Sequence, residues 1–136
     1  MRNPREKSDF VIRATLFGVN VCKIADSWPR TRTADALARQ VIRSSLSVGA
    51  NLRAALRGRS NAEMIAKLGI ALEEADECQH WLEVAIQVAL VRPGEIDELE
   101  DECEQLIKML AASIVKVKSR SNIVKEELAE YFCKFK

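Results

Sequence analysis

Apolar residues recur along this chain at alternating steps of three and four, the spacing that lines one face of an α-helix. Phe10, Ala14, Phe17, Val21, Ile24 and Trp28 make the first such line. It predicts a helix from about Ser8, an N-capping residue, to about Ser27, with Met1–Lys7 as a frayed polar arm. Pro29 ends it, because proline disfavours helix in the residue before it. Thr33 is the expected cap of a second helix, about Ala34–Leu56, with Leu37, Val41, Val48, Leu52 and Ala55 as its apolar strip. Gly58 lets the chain turn, and Ser60 or Asn61 caps a third helix, about Ala62–Val91.

The third helix is apolar on two sides. Leu68, Ala71, Ala75, Leu82, Ile86 and Ala89 occupy one face. Ile70, Trp81, Val84, Val88 and Val91 occupy another, in line with Glu74 and Glu77. A bundle helix needs one such face. The second is expected to be covered by the C-terminal tail or by another subunit, which makes Trp81, Val84 and Val88 the expected oligomer interface. After Arg92-Pro93-Gly94, a fourth helix is expected over Glu95–Lys118, cored by Ile96, Leu99, Cys103, Leu106, Leu110, Ile114 and Val117. Ser119–Asn122 reads as a break, and Ile123–Lys136 as a short amphipathic tail helix carrying Val124, Leu128, Tyr131, Phe132 and Phe135. Short loops between four helices imply antiparallel neighbours. The expected fold is all-α: an up-down-up-down antiparallel four-helix bundle over residues 1–118, with an extra C-terminal tail helix over 119–136.

Composition agrees, with only five Gly and three Pro in 136 residues. The net charge of +1 hides a split. Residues 1–61 hold twelve Lys and Arg against four Asp and Glu, residues 62–115 three against thirteen, and residues 116–136 six against three. Such a split marks either a basic surface or basic helices lying against acidic ones. Four scattered cysteines, no leader sequence and no run of about 20 apolar residues predict a cytoplasmic protein with free thiols and no membrane contact.

The second helix carries the candidate chemistry. Arg39, Arg43, Arg53 and Arg57 fall within an arc of about 80° opposite the core strip, with Arg59 and Lys67 extending the surface. They suit phosphate contacts; they equally suit carboxylates of neighbouring helices, or a protein interface, since Leu46 and Ala50 lie among them. No aromatic residue interleaves, so any nucleic-acid binding is expected to be led by the backbone. Between the arginines and the core runs a polar seam, Gln40, Ser44, Ser47 and Asn51, whose small side chains allow close helix approach and whose amides are expected to satisfy each other or a facing backbone group.

Catalytic patterns are missing. Glu77-x-x-His80 is the local element of a di-iron bundle site, but that site needs two such elements and the chain has one histidine. Ser44, Ser45 and Ser47 lie inside a helix rather than on an exposed elbow, and no phosphate-binding glycine loop is present. The expectation is no enzyme, no metal and no cofactor.

Arg43–Leu52 (RSSLSVGANL), Gly58-Arg59-Ser60, Ile65-Ala66-Lys67-Leu68, and Ala71–Glu77 (ALEEADE) with Trp81-Leu82 resemble the bacterial four-helix-bundle proteins of the 23S rRNA intervening-sequence type. The resemblance covers roughly residues 8–118, with Ser47, Asn51, Glu74, Glu77 and Trp81 on its motif positions. It implies an up-down bundle and a ring-like homopentamer. A similar protein accompanies the reverse transcriptase of diversity-generating retroelements as a basic nucleic-acid-binding accessory. This chain departs from the pattern at Arg53, Ala54 and Ala55, where an acidic residue is common, and at Glu73 and Asp76, where a basic one is. Two expectations follow for the bundle: an RNA- or DNA-binding accessory using Arg39, Arg43, Arg53, Arg57 and Arg59, or a structural scaffold for a protein partner.

Overall fold

A computed structural model describes residues 3–134 and bears out the bundle. Its helices are α1 (Pro4–Asp26), α2 (Arg32–Leu56), α3 (Asn61–Gln87) and α4 (Asp97–Lys134). Each packs on its sequence neighbours and α4 closes back on α1, while the backbones of the diagonal pairs stay apart among the described residues. Met1, Arg2, Phe135, Lys136 and the Val124 side chain lie outside the described part.

The core is built from the expected apolar lines: Phe17, Val21, Val41, Val48, Leu52, Leu68, Leu82, Leu106 and Leu110 are all buried. Fully burying one such side chain contributes about 1.5–3 kcal/mol, so these lines dominate the stability of the fold. Ser44 and Ser45 are buried too, and each hydroxyl bonds back to its own helix, Ser44 to the Gln40 carbonyl at 2.7 Å and Ser45 to that of Ile42 at 3.2 Å. The seam therefore satisfies itself locally. Asn51 likewise donates to the Ser47 carbonyl at 2.9 Å, so the two amides do not pair with each other as one expectation had it. Close approach comes instead from two glycines. A Cβ on Gly18 would stand 3.1 Å from the Ser45 carbonyl oxygen, and one on Gly49 3.1 Å from Thr15 Oγ1, so α1 and α2 cross almost backbone to backbone.

The helix ends differ from expectation in instructive ways. α1 starts at Pro4 rather than Ser8: Asn3 caps it, accepting the Arg5 N–H at 2.9 Å, and proline fits the first helical position because that N–H has no partner to lose. What reads as a frayed arm is thus, from Asn3 on, a capped helix start. Thr31, not Thr33, caps α2, its hydroxyl accepting the Ala34 N–H at 3.1 Å. Ser60 caps α3, and Glu63 reaches back to the Arg59 N–H at 2.7 Å. α3 stops at Gln87, short of Val91. Ala89 takes a left-handed conformation (φ 60°), and the Leu90 and Ala89 N–H groups close onto the Ala85 and Ile86 carbonyls. That turn leaves Ile86 and Ala89 exposed and folds Val91 into the core.

The largest correction concerns α4. No break occurs at Ser119–Asn122, and the tail is not a separate helix: α4 runs 38 residues to Lys134. Ser-Arg-Ser-Asn holds neither proline nor glycine, and its propensity cost is a few tenths of a kcal/mol per residue, too little to stop a helix already propagating. At 1.5 Å per residue α4 is about 57 Å long against about 35–41 Å for the others, so its end overhangs the bundle.

Candidate functional site

Antiparallel packing sorts the charges toward the two ends of the bundle. The α2–α3 turn, the start of α1 and the α4 segment around residue 116 share one end: Lys7, Met64, Ser113, Lys116 and Arg120 line a common depression there. That end collects Arg5, Lys7, Arg53, Arg57, Arg59, Lys67, Lys116, Lys118 and Arg120 against Glu6, Asp9 and Glu63. The opposite end holds the first turns of α4, where six of the eight residues 97–104 are acidic. The charge split in the sequence thus takes both of its expected forms: a basic surface at one end of the bundle, and basic side chains of α1 and α2 paired with acidic ones of α4 and α3 through Arg13–Glu102 and Arg43–Glu74.

Arg53, Arg57 and Arg59 are exposed at the basic pole, and among the described residues none of their guanidinium groups is held in an ion pair. Their position near the end of α2 also suits the partial negative charge of a helix C-terminus. The start of α3 faces the same pole and adds the positive end of its helix dipole, which favours anions. Arg39 is exposed but lies 18 residues before Arg57, about 27 Å toward the other end.

Arg43 is committed elsewhere. Its guanidinium bonds Glu74 at 2.9 Å and also Glu77, with Gln40 at 3.5 Å as a weak third partner. Glu77 in turn accepts the Trp81 indole N–H at 3.2 Å, and the Trp81 ring meets His80 edge to face at 5.0 Å. Gln40 of the seam and the motif residues Glu74 and Glu77 thus converge on one arginine, with Trp81 holding Glu77 from behind, and the network ties α2 to α3. This is a partly exposed network, worth about 1 kcal/mol or less per ion pair. Trp81 and Val84 are half-buried against the core, while Ile70 and Val88 remain exposed. The tail does not cover this face, because it leaves the molecule from the other pole.

Below the network, the Cys103 thiol donates to the Ala75 carbonyl at 3.2 Å. Hydrogen bonding with the adjacent Cys78, and then burial, raises the Cys103 thiol above its ordinary range. Cys22 is raised as well, chiefly by burial. All four cysteines are free. No cluster of three or more His, Cys, Asp or Glu side chains among the described residues is placed to hold a metal ion. No helix is long and apolar enough to cross a membrane among the described residues.

Sequence reasoning on the arginine stripe missed Arg5, Lys7, Lys116, Lys118 and Arg120. The signal was available: in an up-down bundle the start of helix 1, the 2–3 turn and the end of helix 4 share a pole, so their charges must be pooled.

Comparison with known proteins places this geometry in a family. A solved structure from Bacteroides thetaiotaomicron, described as a protein of unknown function from the S23 ribosomal protein family, superposes with a TM-score of 0.74 at 27% identity, over 79% of this chain and 96% of that one. No curated protein matches the chain. The family described as 23S rRNA-intervening sequence protein matches residues 6–112, which takes in α1, α2, α3 and the first part of α4. The chain belongs to the 23S rRNA-intervening sequence protein family.

Proposed function

We propose that this protein is a non-enzymatic, cytoplasmic, homo-oligomeric bundle that holds the backbone of RNA or DNA on its basic pole. One observation carries the reading: three separate stretches of chain deliver nine basic side chains against three acidic ones to a single end. Arg53, Arg57 and Arg59 are the central contacts, with Lys116, Lys118 and Arg120 beside them. Arg39 and Arg43, the remaining members of the stripe, stand outside this patch. Contacts of this kind read phosphates rather than bases. The homopentamer is implied by the resemblance alone; the exposed Ile70 and Val88 beside Trp81 and Val84 support association without giving its number.

The alternative, a scaffold for a protein partner, is favoured by one feature. The Arg43–Glu74–Glu77 network spends an arginine on internal pairing.

Fluorescence anisotropy with short single-stranded RNA and DNA across a salt series separates the two. Binding should weaken by about 0.7–0.9 log units per contacted phosphate for each log unit of salt. Replacing Arg53, Arg57 and Arg59 by alanine should reduce affinity at least tenfold and flatten that slope. Absence of binding at 20–50 mM salt (about the low end of the usual range), or a triple variant that binds as wild type, sinks the nucleic-acid reading.

A further inference from the structure

The overhang of α4 and the cleft between α1 and α4 are complementary in length, polarity and charge. α1 and α4 touch less than any other neighbouring pair, and between them, toward the acidic pole, lies a groove of about 590 Å³. Its lining runs along α1 from Arg13 to Ile24, about 16 Å. Leu16, 54% exposed, lies on the α1 rim, and Ile12 and Val19 continue an exposed apolar strip outward from it. The rims are oppositely charged: Arg13 and Lys23 on α1, Glu98 and Glu102 on α4 with Glu95 in the turn before it. Arg13 and Glu102 pair across the groove at 2.6 Å, which leaves Lys23, Glu95 and Glu98 outside that pair.

The overhang offers the converse surface. Asn3, just before α1, lines a depression with Arg120 and Ile123, so α4 runs on from about that level for some 16 Å beyond the bundle. Leu128, Tyr131 and Phe132 lie within an arc of about 100°, and all three are exposed, with the Tyr131 and Phe132 rings in edge contact. Lys125 flanks this arc on one side, with Glu126 further round; Glu127 flanks it on the other, with Lys134 and Glu130 further round. One direction of insertion sets Lys125 against Glu95 and Glu98 and Glu127 against Lys23.

We infer that the α4 overhang of one copy docks its Leu128–Phe132 face into the α1–α4 groove of a second copy. An α4 overhang that fills this groove must come from a second copy. Residue 124 lies 22 residues beyond Glu102 on the same helix, about 33 Å away, so no overhang reaches its own groove. The contact is head-to-tail, joining unlike surfaces, and such contacts close into rings when the rotation permits. The inference rests on the reading that the chain self-associates, and it assigns the surfaces.

Light scattering on the full chain, alongside four variants checked for helicity by circular dichroism, tests it. Leu16→Glu in the groove and the pair Leu128→Glu/Phe132→Glu in the overhang alter exposed positions only. Each should drop an assembled wild type toward 15.3 kDa. Lys125→Glu should weaken assembly at least tenfold, and adding Glu98→Lys should restore it. In a Cys133→Ser background, mixing Leu16→Cys and Phe132→Cys chains should give a disulfide-linked pair under mild oxidation. An assembly that survives both the groove and the overhang variants overturns the docking while leaving self-association intact. A wild type that is monomeric at all concentrations overturns both. Cross-linking of Phe132→Cys to itself, with none to Leu16→Cys, overturns the docking in favour of overhangs paired with each other.

Discussion

The two halves of α4 carry the same helical spacing of apolar residues and meet opposite surroundings. From Leu99 to Val117 the stripe lies against the bundle, with Leu106 and Leu110 fully buried. From about residue 124 onward it runs past the ends of the other helices, and Leu128 and Phe132 are 51% and 62% exposed. Periodicity thus reports which face of a helix is apolar, not whether anything covers it. The first half is held by tertiary contacts. The second is held by its own backbone ladder, continued from a helix already nucleated, which avoids the usual cost of starting one.

That contrast can be tested by matched substitutions. Leu110→Ala should cost about 2–5 kcal/mol, lowering the melting temperature by roughly 10 °C, whereas Leu128→Ala should change the stability of the dilute monomer by less than about 0.5 kcal/mol. Chemical denaturation of both variants decides it, and equal losses would mean the overhang packs on its own bundle. A proline scan sharpens the same point. Ile107→Pro should cost about 3 kcal/mol or more, since it breaks the ladder where α4 is buried, while Ser121→Pro should remove helical signal beyond that point and leave the melting temperature of the bundle nearly unchanged.

The smallest effect is expected at the acidic start of α4. Burial, and then the charges of Asp97, Glu83 and Asp101, raise the Glu100 carboxyl above its ordinary value. A carboxyl raised in the folded state binds its proton more tightly there than in the unfolded chain. This group's contribution therefore disfavours the fold at neutral pH and is relieved as pH falls from the raised value toward the ordinary one near 4.5. Glu100→Gln should raise the melting temperature slightly at pH 7 and lose that advantage by pH 4, as read by thermal melts across pH. A variant less stable than wild type at pH 7 would show that Glu100 is favourably bonded instead.

Much of the architecture was legible because its causes are local. Ser60 followed by Glu63 marks a helix start in any context, and both act as caps here. Pro29 and Gly58 lie between helices as expected. The errors also have local causes. Asn3-Pro4 is a start signal, overlooked beside the stronger-looking Ser8-Asp9. Ala89 occupies a left-handed turn position that glycine normally fills, so nothing in its type announces the end of α3. The site was less legible. Four arginines on one face of α2 look equivalent on a helical wheel, yet one is bound by Glu74 and Glu77 and another sits near the far pole.

By itself, then, the sequence determined that four amphipathic helices form, which face of each is buried, and that short turns make them antiparallel. These follow from interactions spanning three or four residues. Only the tertiary structure decided that the charges gather at two poles, that Arg43 belongs to α3's carboxylates, and that the end of α4 stands clear of the bundle. Those outcomes depend on which residues distant in sequence become neighbours, and on how long each helix is relative to the others. Helical spacing carries no record of either.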